Sequence, residues 1–333
     1  MFMSKHKPKI AIIGAGIAGL NLANLLAEVA EIVVFEKSDK LGGRAATHHA
    51  NGFSFDHGAQ FFTAKSKVFQ SFAKDLEAKQ VLAQWEARFV EREGGEIHSQ
   101  REWDDEFPHY VGTPSMNAIG QHLAKDVDVR FNQLIVSIRK PNSHWIIETT
   151  QAKYEDFDWV LVTIPAAQAQ AILPESLGLK AQFDDVVMQP CFALMLGYET
   201  PKVLDWDAAF VSKSILSWIS VNSSKPNRGR PFTIVAMSRN DWASKNFDQQ
   251  ESDIVAEMLL ALEAIVGQKL EDASYIKLKR WKYANSPRKD EPLEMIDYAS
   301  QVACCGDWCI SGKIESAFTA SWQLAKQLKE VMS

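Results

Sequence analysis

The sequence predicts an α/β fold: a Rossmann-type domain joined to a second, α+β domain built on a mainly antiparallel sheet. Three observations carry this expectation. Residues 9–36 read as strand, glycine-rich turn, helix and strand. Near the C-terminus, "VACCGDWCISGKIESAFTASWQLAKQL" reads as a strand, then Gly306-Asp307, then a helix from about Ile314. Between them, residues 170–295 supply further strands and one long helix. A chain of 333 residues has room for about two domains.

The first element justifies the Rossmann reading. "KIAII", 9–13, is a short apolar run suited to a parallel strand buried on both faces. Gly14-Ala15-Gly16-Ile17-Ala18-Gly19 follows, in the G-x-G-x-x-G pattern. Gly14 permits the tight turn, Gly16 lets the backbone approach a pyrophosphate, and Gly19 lets the helix pack close to the strand. The helix N-terminus offers unpaired N–H groups to phosphate. The second strand, "EIVVFE", ends in Glu36, 22 residues after Gly14. There a carboxylate accepts hydrogen bonds from the adenosine ribose and disfavours a 2′-phosphate. The same run, after "KHKPK", imitates a signal peptide, but only the strand–turn–helix reading explains its glycines.

Bulk properties exclude several classes. The formal net charge is −6 and no long Lys/Arg block occurs, so nucleic-acid and anionic-membrane partners are not expected. No segment reaches the ~20 apolar residues of a membrane span. Three of the four cysteines, Cys304, Cys305 and Cys309, cluster near the C-terminus without zinc-site spacing, and Cys191 stands apart. They read as small buried hydrophobes in a reducing, cytoplasmic setting.

The residues after Glu36 decide between dinucleotides. "KLGGRAAT", 40–47, has two glycines for close backbone approach and Arg44 as a phosphate fork. Here the chain resembles the flavin-containing amine oxidase superfamily, whose second fingerprint reads R-x-G-G-R; Lys40 replaces the first Arg. The resemblance implies non-covalent FAD, with Arg44 at its phosphates, Asp307 at the ribityl chain or a phosphate, and the helix from Ile314 facing the flavin pyrimidine. Ser321 stands where that helix commonly has glycine. "DHGAQ", 56–60, matches the D-x-G-A/G-Q turn that brings backbone N–H groups to the flavin. Val136 is implied as an adenine-side backbone contact. The cofactor set is then Gly14, Ala15, Gly16, Ile17, Ala18, Gly19, Glu36, Lys37, Gly43, Arg44, His57, Gly58, Ala59, Gln60, Val136, Gly306, Asp307 and Ile314. Matches at both ends imply a discontinuous FAD-binding domain, 1–70, 115–168 and 297–333, with a substrate domain of 71–114 and 169–296.

The rest of the chain follows in order. Residues 85–102 alternate around Gly94-Gly95 as a hairpin, and "VGTPSMNAIGQHLAK" restarts a helix with Pro114 in its first turn. Strands are expected at 129–138, 144–149, 158–165, 190–198, 208–220 and 231–238. A helix over 251–266 places Val255, Leu259, Leu262 and Val266 on one face, with Gly267 as its stop. "NSSKPNRGRP", 222–231, reads as a polar loop that would accept an insertion.

"GFSFDHGAQFF", "VGTPSMNAI" and "RWKYANS" narrow the resemblance to the renalase group, above all its bacterial members. That implies an FAD oxidase taking a hydride at flavin N5 from 2- or 6-dihydro isomers of NAD(P)H, returning NAD(P)+ and passing electrons to O2 to give H2O2. Pocket walls are expected from Gln60, Phe61, Phe62, Thr63, Arg239, Trp281 and Tyr283, with core packing as the rival account of the aromatics. A dihydropyridine needs no side-chain base, and no catalytic residue is assigned. Two alternatives stay open: an oxidase of primary or secondary amines, and a non-catalytic FAD-binding protein. His48, His49 and His57 suggest a metal site at first sight. His48 and His49 are neighbours on a strand and so point apart, and no metal is expected.

Overall fold

The computed structural model describes residues 7–229 and 231–332; Lys5 and His6 of the basic start and Arg230 of the polar loop lie outside the described residues. The chain forms two compact units, one running up to Arg44, through Gly120–Met188 and from Asn285 onward, the other Ala45–Ile119 and Gln189–Ala284.

The first unit is built on a six-stranded sheet in the order Met295–Asp297, Val302–Cys304, Trp159–Val162, Lys9–Ile13, Glu31–Phe35, Asp128–Arg130. Every neighbouring pair is parallel except Met295–Asp297 with Val302–Cys304. Ile10–Ile13 and Trp159–Val162 are buried throughout, as the continuous apolar runs of a doubly covered parallel sheet require. The helices Ile17–Leu26 and Ile314–Met332 pack together, and Asn21 Nδ2 donates to Ser321 Oγ at 2.8 Å. The serine that replaces a customary glycine is thus wholly buried and answers a buried amide. Ile135–Arg139, Trp145–Thr149 and Lys153–Phe157 form a separate antiparallel meander.

In the second unit a seven-stranded sheet runs Tyr275–Asn285, Gln189–Tyr198, Phe232–Ser238, Leu216–Val221, Ala208–Ser212, Arg88–Glu93, Glu96–Glu102. Its pairing is mainly antiparallel, with Ala208–Ser212 parallel to Arg88–Glu93. The strand expected over 208–220 is therefore two, broken at Lys213, whose φ is +50°. One sheet face is covered by the helix Glu251–Val266. That helix buries Ile254, Met258, Leu262 and Ile265, one residue round from the expected stripe. Val255, Leu259 and Val266 flank the core, because the helix is apolar around much of its circumference and period alone does not choose the centre.

The opposite face receives the hairpin Thr47–Ala50/Phe53–Asp56. Phe53 and Phe55 pack on Met195 and Val235, each contributing about 1.5–3 kcal/mol of apolar burial. A Cβ at Gly197 would fall 2.7 Å from the Phe53 ring, so this glycine makes room for it. This packing places residues 45–70 in the second unit rather than with the nucleotide-binding strands. Residues 169–188 and 285–296 fall in the first unit, where the turn Gly178–Phe183 packs on Met295–Asp297. Pro114 also departs from expectation: it follows a cis peptide, and the helix begins only at Ala118.

Candidate functional site

In the first unit the glycine loop makes an open backbone cradle. Gly14 has a φ of +109°, which a side chain rarely adopts. A Cβ on Gly19 would stand 2.0 Å from the Gly14 carbonyl oxygen, so only glycine brings the helix this close. Around a Cβ on Gly16, by contrast, nothing lies within 4 Å. Gly16 also caps the helix without any side-chain hydrogen bond, which leaves the first-turn N–H groups for a ligand. Ala15, Ile17 and Ala18 are buried beneath it. Glu36 is buried after its strand; its Oε2 accepts from Ala15 N at 3.0 Å and its Oε1 from Ser38 N at 3.0 Å. Oε1 also accepts from Ser38 Oγ at 2.8 Å, which leaves about one of a carboxylate's four acceptor positions for a ribose hydroxyl. Lys37 beside it is exposed.

The second glycine loop leans on the first. Gly16 and Gly42 form an isolated parallel bridge, Gly42 N donates to Ala15 O at 2.9 Å, and Gly43 is exposed. Arg44 and Asp307, 263 residues apart, meet in a two-pronged ion pair, with Nη1 to Oδ2 at 2.8 Å and Nη2 to Oδ1 as the second prong. Two groups expected to face a cofactor separately are each other's partners, which removes the net charge from this spot and fixes both side chains. Gly306 is buried just ahead of Asp307, and the C-terminal helix does begin at Ile314. Val136 sits at a bulge in its strand, so its backbone is out of ladder register while its side chain is exposed.

In the second unit, the turn after the hairpin carries His57, Gly58, Ala59 and Gln60 above a buried ion cluster. Asp56 and Lys225 side chains are wholly buried and that of Arg228 nearly so. Arg228 donates to Asp56 Oδ2 from Nη2 at 2.7 Å and from Nε at 3.0 Å, and Lys225 Nζ approaches the same oxygen at 3.2 Å. Thr47 Oγ1 and Met116 N donate to Oδ1, at 2.7 and 3.1 Å. Burial pushes the Asp56 carboxyl up, but Lys225, Arg228 and the hydrogen bonds from Thr47 and Arg228 outweigh it and lower its pKa to about 2. Burial lowers the Lys225 ammonium to about 8, against the attraction of Asp56. Sequence reasoning missed this cluster, because Lys225 and Arg228 lie in the stretch read as a solvated loop. The signal was the lone acid of "FSFDHGAQFF" within an apolar stretch, which needs buried cations from elsewhere.

The Gln60 amide belongs to the same network. Its Oε1 accepts from Ser220 Oγ at 2.8 Å and Lys225 Nζ at 3.4 Å, and its Nε2 donates to Asp56 O at 2.5 Å and Gly58 O at 3.1 Å. Gln60 therefore braces its own turn, and its side chain is committed inward rather than to a pocket. Phe61 packs in tilted contacts among Trp103, His109 and Trp218 at centroid distances of 4.8, 5.2 and 5.1 Å. Phe62 is buried against Phe69 and Tyr110, serving the core and not a pocket wall. Thr63 is half-buried. Arg239 is exposed and paired with Asp241 at 3.0 Å, so it is a surface ion pair and not a pocket cation.

Trp281 and Tyr283 do share one face of the strand Tyr275–Asn285, and both are half-buried. Trp281 Nε1 donates to His57 O at 2.8 Å, and the two rings stack at 5.3 Å and 18°. His57 thus covers one face of the Trp281 indole. His48 lies within 2.6 Å of the Tyr275 hydroxyl, whereas His49 is exposed. Among the described residues, no group of three or more His, Cys, Asp or Glu is placed to hold a metal ion.

Comparison with known proteins gives the family of the chain. Residues 12–76 match the NAD(P)-binding Rossmann-like domain, and residues 101–328 match the flavin containing amine oxidoreductase family. The chain belongs to the flavin-containing amine oxidoreductase family. As a member of it, the protein is an FAD-dependent oxidoreductase, and the open cradle at Gly16 with Glu36 beside it fits that cofactor. The family member is similar over its whole length to renalase of Mus musculus, at 23% identity across 96% of this chain and 98% of the relative. Similarity to polyamine oxidase 3 of Oryza sativa subsp. japonica, 40% identical, spans only 17% of this chain and 12% of that one. Putrescine oxidase bound to putrescine shares the fold with a TM-score of 0.72 at 13% identity, covering 98% and 99% of the two chains. A fatty acid isomerase from P. acnes does so at 0.70 and 14%, covering 96% and 98%. One fold thus carries several chemistries, and the substrate must be argued from the site. Among the described residues, no helix is long and apolar enough to cross a membrane.

Proposed function

We propose that this protein is an FAD-dependent oxidase of the 2- or 6-dihydro isomers of NAD(P)H, which returns NAD(P)+ and passes the electrons to O2 to form H2O2. The observation that carries the reading is the similarity to renalase along the full length of both chains. Bound FAD would supply the hydride-accepting N5 position; Gly14–Gly19, Glu36, Gly43 and Arg44 would hold the dinucleotide.

The chain's own residues have a modest task in this reaction. Aromatisation of a dihydropyridine drives the transfer, so the protein must orient a flat ring and need not remove a proton. The half-buried pair Trp281 and Tyr283, on one face of their strand, would offer such a ring an aromatic wall. The acid beside that turn, Asp56, is held ionised and enclosed by two cations, which suits a brace and not a general base.

Anaerobic mixing of the purified flavoprotein with 6-dihydro-NAD tests the reading. Stoichiometric bleaching of the flavin within seconds is expected. Bleaching by amines alone would replace it with amine oxidation, and no bleaching by either class would leave a non-catalytic FAD-binding protein.

A further inference from the structure

The buried cluster beneath the 57–60 turn sets two cations, Lys225 and Arg228, against one acid, Asp56. Arg228 takes the acid by two prongs, at 2.7 and 3.0 Å, and also donates to Pro114 O at 2.6 Å. Lys225 is the surplus charge. Its Nζ lies 3.2 Å from Asp56 Oδ2, 3.4 Å from Gln60 Oε1 and 5.3 Å from the centroid of the Trp85 ring. Desolvating a surplus ammonium opposes folding, so an uncharged side chain of similar volume would pack there at no loss or at a gain. Stability therefore does not account for the lysine.

Its contacts lead outward. An ammonium only donates, so it turns the Gln60 amide with Oε1 inward, where Ser220 Oγ also donates. Nε2 is then left to the carbonyl oxygens of Asp56 and Gly58, at 2.5 and 3.1 Å. The peptide bond between Gly58 and Ala59 is trans, so its N–H points opposite to its C=O. The Ala59 N–H is accordingly directed away from the Gln60 amide. Ala59 is half-buried, and among the described residues this N–H makes no backbone hydrogen bond. The peptide before it obeys the same rule: Asp56 O takes Gln60 Nε2, and the His57 N–H donates the other way, to Ala46 O. Lys225, the Gln60 amide and the 58–59 peptide thus form a chain of donors and acceptors in one sense, in which each link strengthens the next.

We propose that Lys225 is a positioning residue that acts through Gln60 to aim and polarise the Ala59 N–H as a donor to the negative charge that hydride transfer places on a flavin ring. The inference rests on the oxidase reading and on the D-x-G-A/G-Q pattern, which implies a flavin beside this turn. It adds to that site a residue that need not touch the ligand.

The test uses the intact flavoprotein as wild type, Lys225→Met, Gln60→Leu and Lys269→Gln, the last an exposed cation of the same unit. Anaerobic equilibration with a reference redox dye at pH 7, below the Lys225 value of about 8, reads the ratio of reduced to oxidised flavin. Urea midpoints read stability. At a fixed dye ratio Lys225→Met is expected to lower the reduced-to-oxidised flavin ratio about three- to tenfold, the margin by which hydrogen bonds to charged groups exceed neutral ones. Its urea midpoint should equal or exceed that of the wild type. Gln60→Leu keeps the cation but cuts the chain, and should shift the ratio the same way; Lys269→Gln should not shift it. A Lys225→Met protein that fails to fold, loses its flavin or keeps the wild-type ratio would mark the lysine as structural and overturn the proposal. So would a shift in Lys225→Met with none in Gln60→Leu. If 6-dihydro-NAD does not bleach the wild-type flavin, the functional reading falls, while the dye ratios, which involve no substrate, still decide the role of Lys225.

Discussion

Asp56→Asn keeps the shape of the side chain and removes the one negative charge from the cluster beneath the 57–60 turn. Holding the carboxyl at about 2 against an ordinary 3.8 corresponds to roughly 2.5 kcal/mol at 1.36 kcal/mol per unit. The variant also leaves Lys225 and Arg228 buried together without a counter-ion, and breaking such a pair costs about 3–5 kcal/mol. The expected deficit at pH 7 is therefore about 3–5 kcal/mol. It should depend on pH. Lys225 already titrates near 8 in the folded protein, and without Asp56 its pKa falls further. Between that value and about 8 the folded variant has lost the Lys225 proton while the wild type keeps it, so only the variant gains stability as pH rises; the deficit narrows over that window and is flat above it, where both gain alike. Wild-type stabilisation from Asp56 has the opposite limb: it is fully present above about pH 4 and is lost as pH falls toward 2. Urea midpoints followed by tryptophan fluorescence from about pH 2 to 9.5 measure both trends. Asp56→Asn/Lys225→Met should recover part of the loss. A deficit below about 1 kcal/mol that stays flat with pH would mean that water reaches the cluster, and the reasoning would be wrong.

Three further outcomes are expected. Gly16→Val has free space for its side chain and should fold with normal circular dichroism yet purify without the flavin absorbance near 450 nm, whereas Gly19→Val meets the Gly14 carbonyl and should lose stability itself. Burial raises the thiols of Cys191 to about 11 and Cys309 to about 12 and pushes Cys304 and Cys305 up as well, so all four should resist a thiol reagent at pH 8 in the native protein and react together once urea unfolds it. Acid precipitation should leave FAD in the supernatant; yellow colour retained in the pellet would show a covalent flavin.

How legible the molecule was in its sequence differed between its parts. Where function rests on backbone shape, the residue types declare it: Gly14, Gly16 and Gly19, at that spacing between a strand and a helix, suit little besides a dinucleotide loop, and the strand, turn and helix around them stand as expected. Side-chain partnerships across long separations were not legible. Nothing near Arg44 announces Asp307, and nothing in "NSSKPNRGRP" announces that Lys225 and Arg228 turn inward to Asp56. Gln60 was placed correctly on its turn, but the direction of its amide depends on Ser220 and Lys225, which the local pattern does not contain. The placement of 45–70 was equally hidden, because the tie between Phe53, Phe55 and Val235 is a packing choice and not a motif.

The interleaving of the two units has a consequence for synthesis. All the residues of the second unit have been made once Ala284 is in place, and its sheet can then close while the ribosome still holds the chain. The first unit must wait, because Trp159–Val162 takes a neighbour from Val302–Cys304 and the helix Ile17–Leu26 packs on the last helix of all. A nascent chain therefore exposes the apolar edge of its first strands through most of translation, and firm capture of FAD becomes the closing step of maturation.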